Sequence, residues 1–423
     1  MGVLTELCSR MLAKIAHMFY NCGMEAMHKL QDMAIHMDLE PAEELRRIPA
    51  GKVAPCGLVV EEKPPLRRKN KQEKLEDLGV FHAALPGGKT VPLLKTLLTS
   101  ACERNCHYCP FRAGRNYQRV TFKPQEMAQA FMDMHRAGLV EGLFLSSGII
   151  RGGQKTQDKL LDTVSILRQK HKFPGYIHLK VMPGAEREQV RQAMTLVDRI
   201  SVNLEAPNPH RLQALAPLKR FDEELLQPLV WVEEIRQSEP QHLGWNGRWP
   251  STTTQFVVGA LDESDLELLA TSEYLFHHLR LGRTYYSAFH PVPDTPLENR
   301  AAEDPLRQQR LYQASFLFRD YGFELEDMPF DQGGNLPRAA DPKLAWAEQH
   351  LAESPLELNR AAKNDLLRVP GIGPLSAARI LAVRRQGTLR DVYHLQQLGL
   401  RAGAMKPYIL LDGKRPTYQL RLL

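Results

Sequence analysis

Between residues 92 and 325 the chain alternates short apolar runs with longer stretches whose apolar positions recur every three to four residues. The short runs predict strands over 93–99, 142–147, 176–182, 199–204, 253–259 and 284–290. The longer stretches predict helices over 124–137, 156–171, 221–236, 265–281 and 304–321. Six strands, each followed by a helix-length connection, imply repeated right-handed βαβ units and a parallel sheet. Such a series suits a doubly wound sheet or a partial barrel. In both, chemistry sits at the C-terminal ends of the strands.

The flanks read differently. Residues 1–90 look like an appended helical and extended segment. It carries an amphipathic helix (Met11, Ile15, Met18, Phe19, Met24, Met27), a connector marked by Pro and Gly, and a charge-rich run over 63–74. Such a run is a nucleic-acid tail or simply a solvated loop. Past residue 340 the strands stop and helical patterns with tight turns take over. The expected division is therefore 1–90, a core at 91–330, and a C-terminal helical domain at 331–423.

Composition adds little beyond bounds. At 423 residues and 43% hydrophobic the chain can build a sizeable core. A net charge of +6 is compatible with a nucleic-acid partner without requiring one. No stretch reaches the roughly 18–20 uncharged apolar residues of a membrane helix. The N-terminus lacks the pattern of a cleaved leader, so the expected location is the cytoplasm. Of six cysteines, Cys8, Cys22 and Cys56 are scattered, while three fall within eight residues. That clustering points to metal rather than to a disulfide framework.

The three are Cys102, Cys106 and Cys109, in the string Thr99-Ser-Ala-Cys-Glu-Arg-Asn-Cys-His-Tyr-Cys-Pro. Their Cys-x3-Cys-x2-Cys spacing follows the first predicted strand directly. Three thiolates on one short loop can converge on three irons of a cubane cluster, leaving the fourth iron open. Structural zinc competes, with His107 as the fourth ligand, but the loop is cramped and no second Cys-x2-Cys follows.

The spacing, with Tyr108 before the last cysteine, resembles the radical S-adenosylmethionine (SAM) enzymes. The resemblance implies a partial (β/α)6 TIM-like barrel, a [4Fe–4S] cluster and SAM. SAM then chelates the open iron through its amino and carboxylate groups. One electron from the cluster cleaves it to methionine and a 5′-deoxyadenosyl radical. It also implies a protein electron donor such as a flavodoxin or ferredoxin. The polar strand ends then become candidate SAM contacts: Tyr108, Ser146, Ser147, Gly148, Lys180, Asn203, Glu205 and Gly259. Many relatives have Gly-Gly-Glu where this chain has Ser146-Ser147-Gly148. Gly259 would let the backbone approach adenine. Tyr285, Tyr286 and His290 crowd the sixth strand as candidate catalytic groups, with barrel packing the alternative for the two tyrosines.

Near the end stands Asn364-Asp-Leu-Leu-Arg-Val-Pro-Gly-Ile-Gly-Pro-Leu-Ser. Glycines in a four-residue turn and Pro374 opening the next helix suit a tight helical hairpin. The turn resembles the helix-hairpin-helix motif, in which glycine amides face a backbone phosphate. Val369, Gly371, Gly373, Arg379 and Arg384 become the expected DNA-binding residues, with Ile372 as the core anchor. Arg368, Arg385 and Lys406 add positive charge. Protein packing is the alternative use of such a hairpin.

Taken together, the strings Leu143-Phe-Leu-Ser-Ser-Gly, Gly175-Tyr-Ile-His-Leu-Lys, Asp198-Arg-Ile-Ser-Val-Asn-Leu-Glu, Tyr285-Tyr-Ser-Ala-Phe and Asp341-Pro-Lys-Leu-Ala-Trp resemble the DNA modification/repair radical SAM family. The resemblance spans roughly residues 24 to 410. It implies an enzyme that modifies or repairs DNA. A non-catalytic iron–sulfur DNA-binding protein and an enzyme acting on RNA are the alternatives.

Overall fold

The computed structural model describes residues 24–34, 75–76, 78–84, 90–400 and 402–417. The charge-rich run at 63–74, the N-terminal positions Met11 to Phe19, and Cys8, Cys22 and Cys56 lie outside them.

Seven strands form one sheet: β1 (Val80–Ala84), β2 (Thr90–Leu97), β3 (Gly142–Ser146), β4 (Tyr176–Lys180), β5 (Arg199–Ser201), β6 (Ser251–Val258) and β7 (Arg283–Ala288). They lie side by side in sequence order. A doubly wound sheet reverses its order at a switch point, so this winding is of the barrel type. β1 pairs antiparallel with β2, and β2 through β6 run parallel. The six strands expected from the sequence are β2–β7; β1 is an addition at the edge.

The helices are α1 (Met24–Ala34), α2 (Pro124–Arg136), α3 (Gly153–Ser165), α4 (Arg187–Leu196), α5 (Pro209–Leu215), α6 (Gln227–Ser238), α7 (Asp265–Leu279), α8 (Pro305–Tyr321), α9 (Pro342–His350), α10 (Lys363–Arg368), α11 (Pro374–Val383) and α12 (Val392–Gln397). Local chemistry sets several of their ends. Ser264 and Glu267 form a reciprocal cap on α7. Asp304 caps α8 ahead of Pro305, and Gly322 closes it in the left-handed conformation. The apolar pattern does not announce α4, whose stripe of Val190, Ala193 and Met194 is short. The same pattern predicts plain helices over 156–171 and 221–236. Each contains a π-helical turn, at Ile166–Lys170 and Phe221–Leu226. Such turns are frequent near functional sites.

The chain divides into two compact units. One holds the residues up to Asn203 with Ala216–Thr253 and Pro291–Asn299; the other holds Leu204–Leu215, Thr254–His290 and Arg300 onward. In the first unit, register separates the two faces of the sheet. Leu143, Leu145, Ile177, Leu179 and Ile200 occupy paired rows and are fully buried. The intervening rows are polar: Lys180 aligns with Ser201 and Ser201 with Thr253. Leu97 aligns with Ser146 at the same level of β3.

In the second unit, α10 and α11 flank the Val369–Pro374 turn, while Leu356–Glu357 pairs in parallel with Ile409–Leu410. Gly371 and Gly399 both adopt positive φ, 84° and 72°. A second turn, Leu398-Gly-Leu, thus repeats the backbone conformation of the first at its glycine.

Candidate active site

The cysteine loop begins where β2 ends. Ser100 and Val120 exchange bonds across its neck: the Ser100 amide donates to the Val120 carbonyl (2.9 Å), and the Val120 amide donates to Ser100 Oγ (2.9 Å). Arg119 then ties the loop from within. Its guanidinium donates to the carbonyls of Ser100 (2.9 Å), Phe111 (2.7 Å), Arg112 (2.7 Å) and Arg115 (3.2 Å), and stacks on Tyr117 at 3.9 Å. Five donors in a fixed planar fork make arginine the residue for such a task.

Two further contacts hold the loop to its surroundings. The Glu103 carboxylate accepts from the amides of Arg151 (2.9 Å) and Gly152 (3.0 Å). Arg104 pairs with Glu224 at 2.7 Å, on the second π-turn, and also donates to the Leu218 carbonyl. None of these partners was expected from the sequence.

Cys102, Cys106 and Cys109 stand within this frame as thiols outside any disulfide, Cys106 buried and the other two half-buried. Cys102 Sγ accepts from the amides of Arg104 and Ile149, both at 3.4 Å, and Cys109 Sγ accepts from Phe111 at 3.4 Å. Burial pushes the Cys109 thiol well up, and the neighbouring Cys106 and Cys102 push it the same way, against a smaller opposite pull from Lys219. Thiols that resist ionising beside each other are the donor set that a cationic iron centre relieves. Among the described residues no three His, Cys, Asp or Glu side chains gather tightly enough to hold one metal ion. A cubane does not require that, because it gives each cysteine its own iron. The residues present fit a [4Fe–4S] cluster.

The end of β3 presses directly on this loop. The Gly148 amide donates to the Thr99 carbonyl (2.7 Å), and a Cβ at Gly148 would collide with the Ala101 carbonyl oxygen. Close backbone approach explains this glycine without any ligand. Ser147 bonds the carbonyl of Gly148 (2.7 Å), whereas Ser146 is fully buried and its hydroxyl has no hydrogen-bond partner. Ser201 Oγ and Thr253 Oγ1 share that condition. A buried hydroxyl without a partner is costly. Three of them, at Ser146, Ser201 and Thr253, mark a polar surface built to meet a ligand. Lys180 aligns with Ser201, and Asn203 continues the same alternation beyond β5. Tyr108 and His107 are half-buried in the cysteine loop.

In the second unit Glu205 is buried and left-handed, with φ of 65°. Its backbone bridges to β6, donating to Gln255 (2.9 Å) and accepting from Val257 (2.8 Å). The close approach that Gly259 permits is to Glu303, whose Cβ would lie 2.6 Å from an added methyl group. Gly259 and Glu303 also line one open cavity, together with Arg300, Ala301 and Ala302. Tyr286 is fully buried, bonds Ser272 (2.7 Å) and Thr284 (3.0 Å), and meets the Tyr312 ring edge-on. Burial raises its phenol to about 12. Those contacts make it a core residue, as the packing alternative held. Tyr285 is buried too and, one residue earlier on the strand, points to the opposite face. His290 is exposed.

In the hairpin, Val369 and Ile372 are fully buried, so both support the turn from inside. Gly371 is exposed and Gly373 half-buried. Arg379 is exposed and donates to the Leu398 carbonyl (3.1 Å). Arg384 spends its guanidinium on the carbonyls of Leu358 (3.2 Å) and Ala361 (2.6 Å). Arg368 is bidentate to Asp327 (2.7 and 2.9 Å) and stacks against Phe323 and Trp346. Of the expected phosphate ligands, Val369 is thus inside the turn, and Arg384 has one guanidinium nitrogen bonded to main chain.

Residues 96–227, which hold the cysteine loop and β2 through β5, match the Radical SAM superfamily. This stretch therefore carries a radical SAM domain, and the enzymes of that superfamily use a [4Fe–4S] cluster and SAM and need an electron donor. Similar solved structures include the FeFe-hydrogenase maturase HydG from Carboxydothermus hydrogenoformans (16% identity, 54% of this chain, 51% of that one, TM-score 0.41). A radical SAM methyltransferase from Sphaerobacter thermophilus gives 14% identity, 56% and 66% coverage, and TM-score 0.42. Coproporphyrinogen III oxidase (HemN) from Escherichia coli gives 15%, 54% and 52%, and 0.34. The chain spans about half the length of the HydG structures that it matches. No curated protein matches. Among the described residues no helix is long and apolar enough to cross a membrane.

Proposed function

We propose that this enzyme acts on nucleic acid, and on DNA in particular, modifying or repairing it by hydrogen abstraction. The observation that carries the reading is the C-terminal turn. An exposed, left-handed Gly371 sits between two helices, pinned by buried Val369 and Ile372, with Pro374 opening α11. Exposed glycine backbone at a helix start suits a phosphate and carries no sequence information. The catalytic core is residues 91–330 and the nucleic-acid module 331–423, joined to a segment at 1–90.

When bound, the cluster and SAM supply a 5′-deoxyadenosyl radical. The chain's own part is to hold and orient. Cys102, Cys106 and Cys109 bind the irons, and amide donors to Cys102 and Cys109 soften the charge on their sulfurs. Ser146, Ser147, Lys180 and Asn203 line the polar strand ends where SAM's amino, carboxylate and ribose groups need partners. Tyr285 is the candidate for relaying hydrogen. A target carbon inside a duplex has to be extruded or offered as single strand. A flavodoxin or ferredoxin is the electron donor, and the cytoplasm, where thiols stay reduced, is the location.

The test is anaerobic turnover with oligonucleotides deuterated at sugar and base carbons. Deuterium in 5′-deoxyadenosine from DNA supports the reading. Transfer only from RNA moves the substrate class, and transfer from neither removes nucleic acid as the substrate.

A further inference from the structure

A lysine lies under the glycine hairpin. Lys343, at the start of α9, is half-buried and donates to the Ile372 carbonyl at 2.6 Å. Its ammonium sits 4.6 Å from the centre of the Tyr321 ring, at the end of α8. Tyr321 also bounds the turn, since a Cβ on Gly373 would lie 3.2 Å from its hydroxyl. A buried amine is an expensive way to anchor one carbonyl. Ile372, Val369 and the helices would pack as well around a methionine.

Peptide geometry suggests what the lysine contributes. No described peptide is cis. In a trans peptide the carbonyl and amide point opposite ways. With the Ile372 carbonyl turned inward onto Lys343, the Gly373 amide is turned outward, beside exposed Gly371. The ammonium then stands behind the face that the turn offers to an anion.

We propose that Lys343 and Tyr321 are positioning residues of the hairpin: they fix the Ile372–Gly373 peptide with its amide outward, and the charge of Lys343 strengthens the turn's hold on a backbone phosphate. This rests on the hairpin reading above and deepens it. A consequence is proton linkage. Burial lowers the Lys343 amine to about 7, with Asp341 pulling it back up. The charge that acts on its amine is Asp341, at the cap of α9, and the ring of Tyr321 on α8 packs against it. The turn itself, Val369 to Pro374, has no titratable side chain. Below about pH 7 the amine is charged and helps bind an anion; above that value the help fades.

The experiment is fluorescence anisotropy with a labelled oligonucleotide, using the full chain at low salt and at several pH values. Wild type should bind about fivefold more tightly near pH 6 than near pH 8.5, the worth of one partly buried charge. Lys343→Met should lose most of that difference, whereas Tyr321→Phe, which keeps the ring, should retain it. Calorimetry of the unmodified protein near pH 7.5 should show proton uptake on binding, which covers the case of a misfolded variant. Equal pH profiles for wild type and Lys343→Met, or no proton uptake, would overturn the proposal. Gly371→Val separates the two readings. If it weakens binding while Lys343→Met leaves the pH profile unchanged, the hairpin reading stands and the lysine's role falls. If neither weakens binding, the hairpin reading falls.

Discussion

The cysteine loop and the glycine hairpin are both tight turns, yet they are stabilised in opposite ways. The cysteine loop turns its carbonyls inward. Arg119 gathers four of them and Glu103 binds two amides from the segment after β3. These bonds are in place before any cofactor arrives. The hairpin uses one inward carbonyl and two buried apolar side chains, and leaves Gly371 exposed. A loop that holds an inorganic cluster must resist distortion, because three sulfurs have to meet three irons. A turn that meets a polymer backbone gains from exposed amides instead.

That contrast can be broken at either end. Cys106→Ala should abolish 5′-deoxyadenosine formation under dithionite and leave oligonucleotide affinity near the wild-type value. Persistent SAM cleavage would remove the cluster assignment. Arg119→Ala should be the next most damaging, since it strands several carbonyls at once. The expected loss is about 2–4 kcal/mol of stability with reduced iron after reconstitution; a wild-type melting temperature and iron content would show the loop to be self-supporting. Gly371→Val forces a β-branched residue into a φ of 84°. It should lower DNA affinity about tenfold, or about 1.4 kcal/mol, and spare SAM cleavage measured without DNA. Equal affinity would assign the hairpin to packing.

These tests also trace what could be read from the sequence. The cysteines were legible because their spacing is local, and a loop of eight residues can bring them together without help. The six strands were legible from their apolar runs. The winding was not, since both architectures share the βαβ unit. Arg119, Glu224 and Lys343 gave no signal, because their partners are main-chain carbonyls or residues far along the chain. Tyr285 and Tyr286 looked alike in sequence. The two-residue period of a strand separates them, placing one in the core and the other on the far face.

Glu205 holds a conformation that costs a non-glycine residue about 1–2 kcal/mol, and it does so while buried. The molecule therefore sits below the stability its backbone permits. Glu205→Gly should relieve the strain and raise the melting temperature, while turnover falls with the loss of the carboxylate. A screen for heat tolerance would select this change, and a screen for activity would discard it. A melting temperature that drops in Glu205→Gly would mean that the carboxylate itself holds the strand end together. If it rises, this position records a trade in which durability was given up for chemistry.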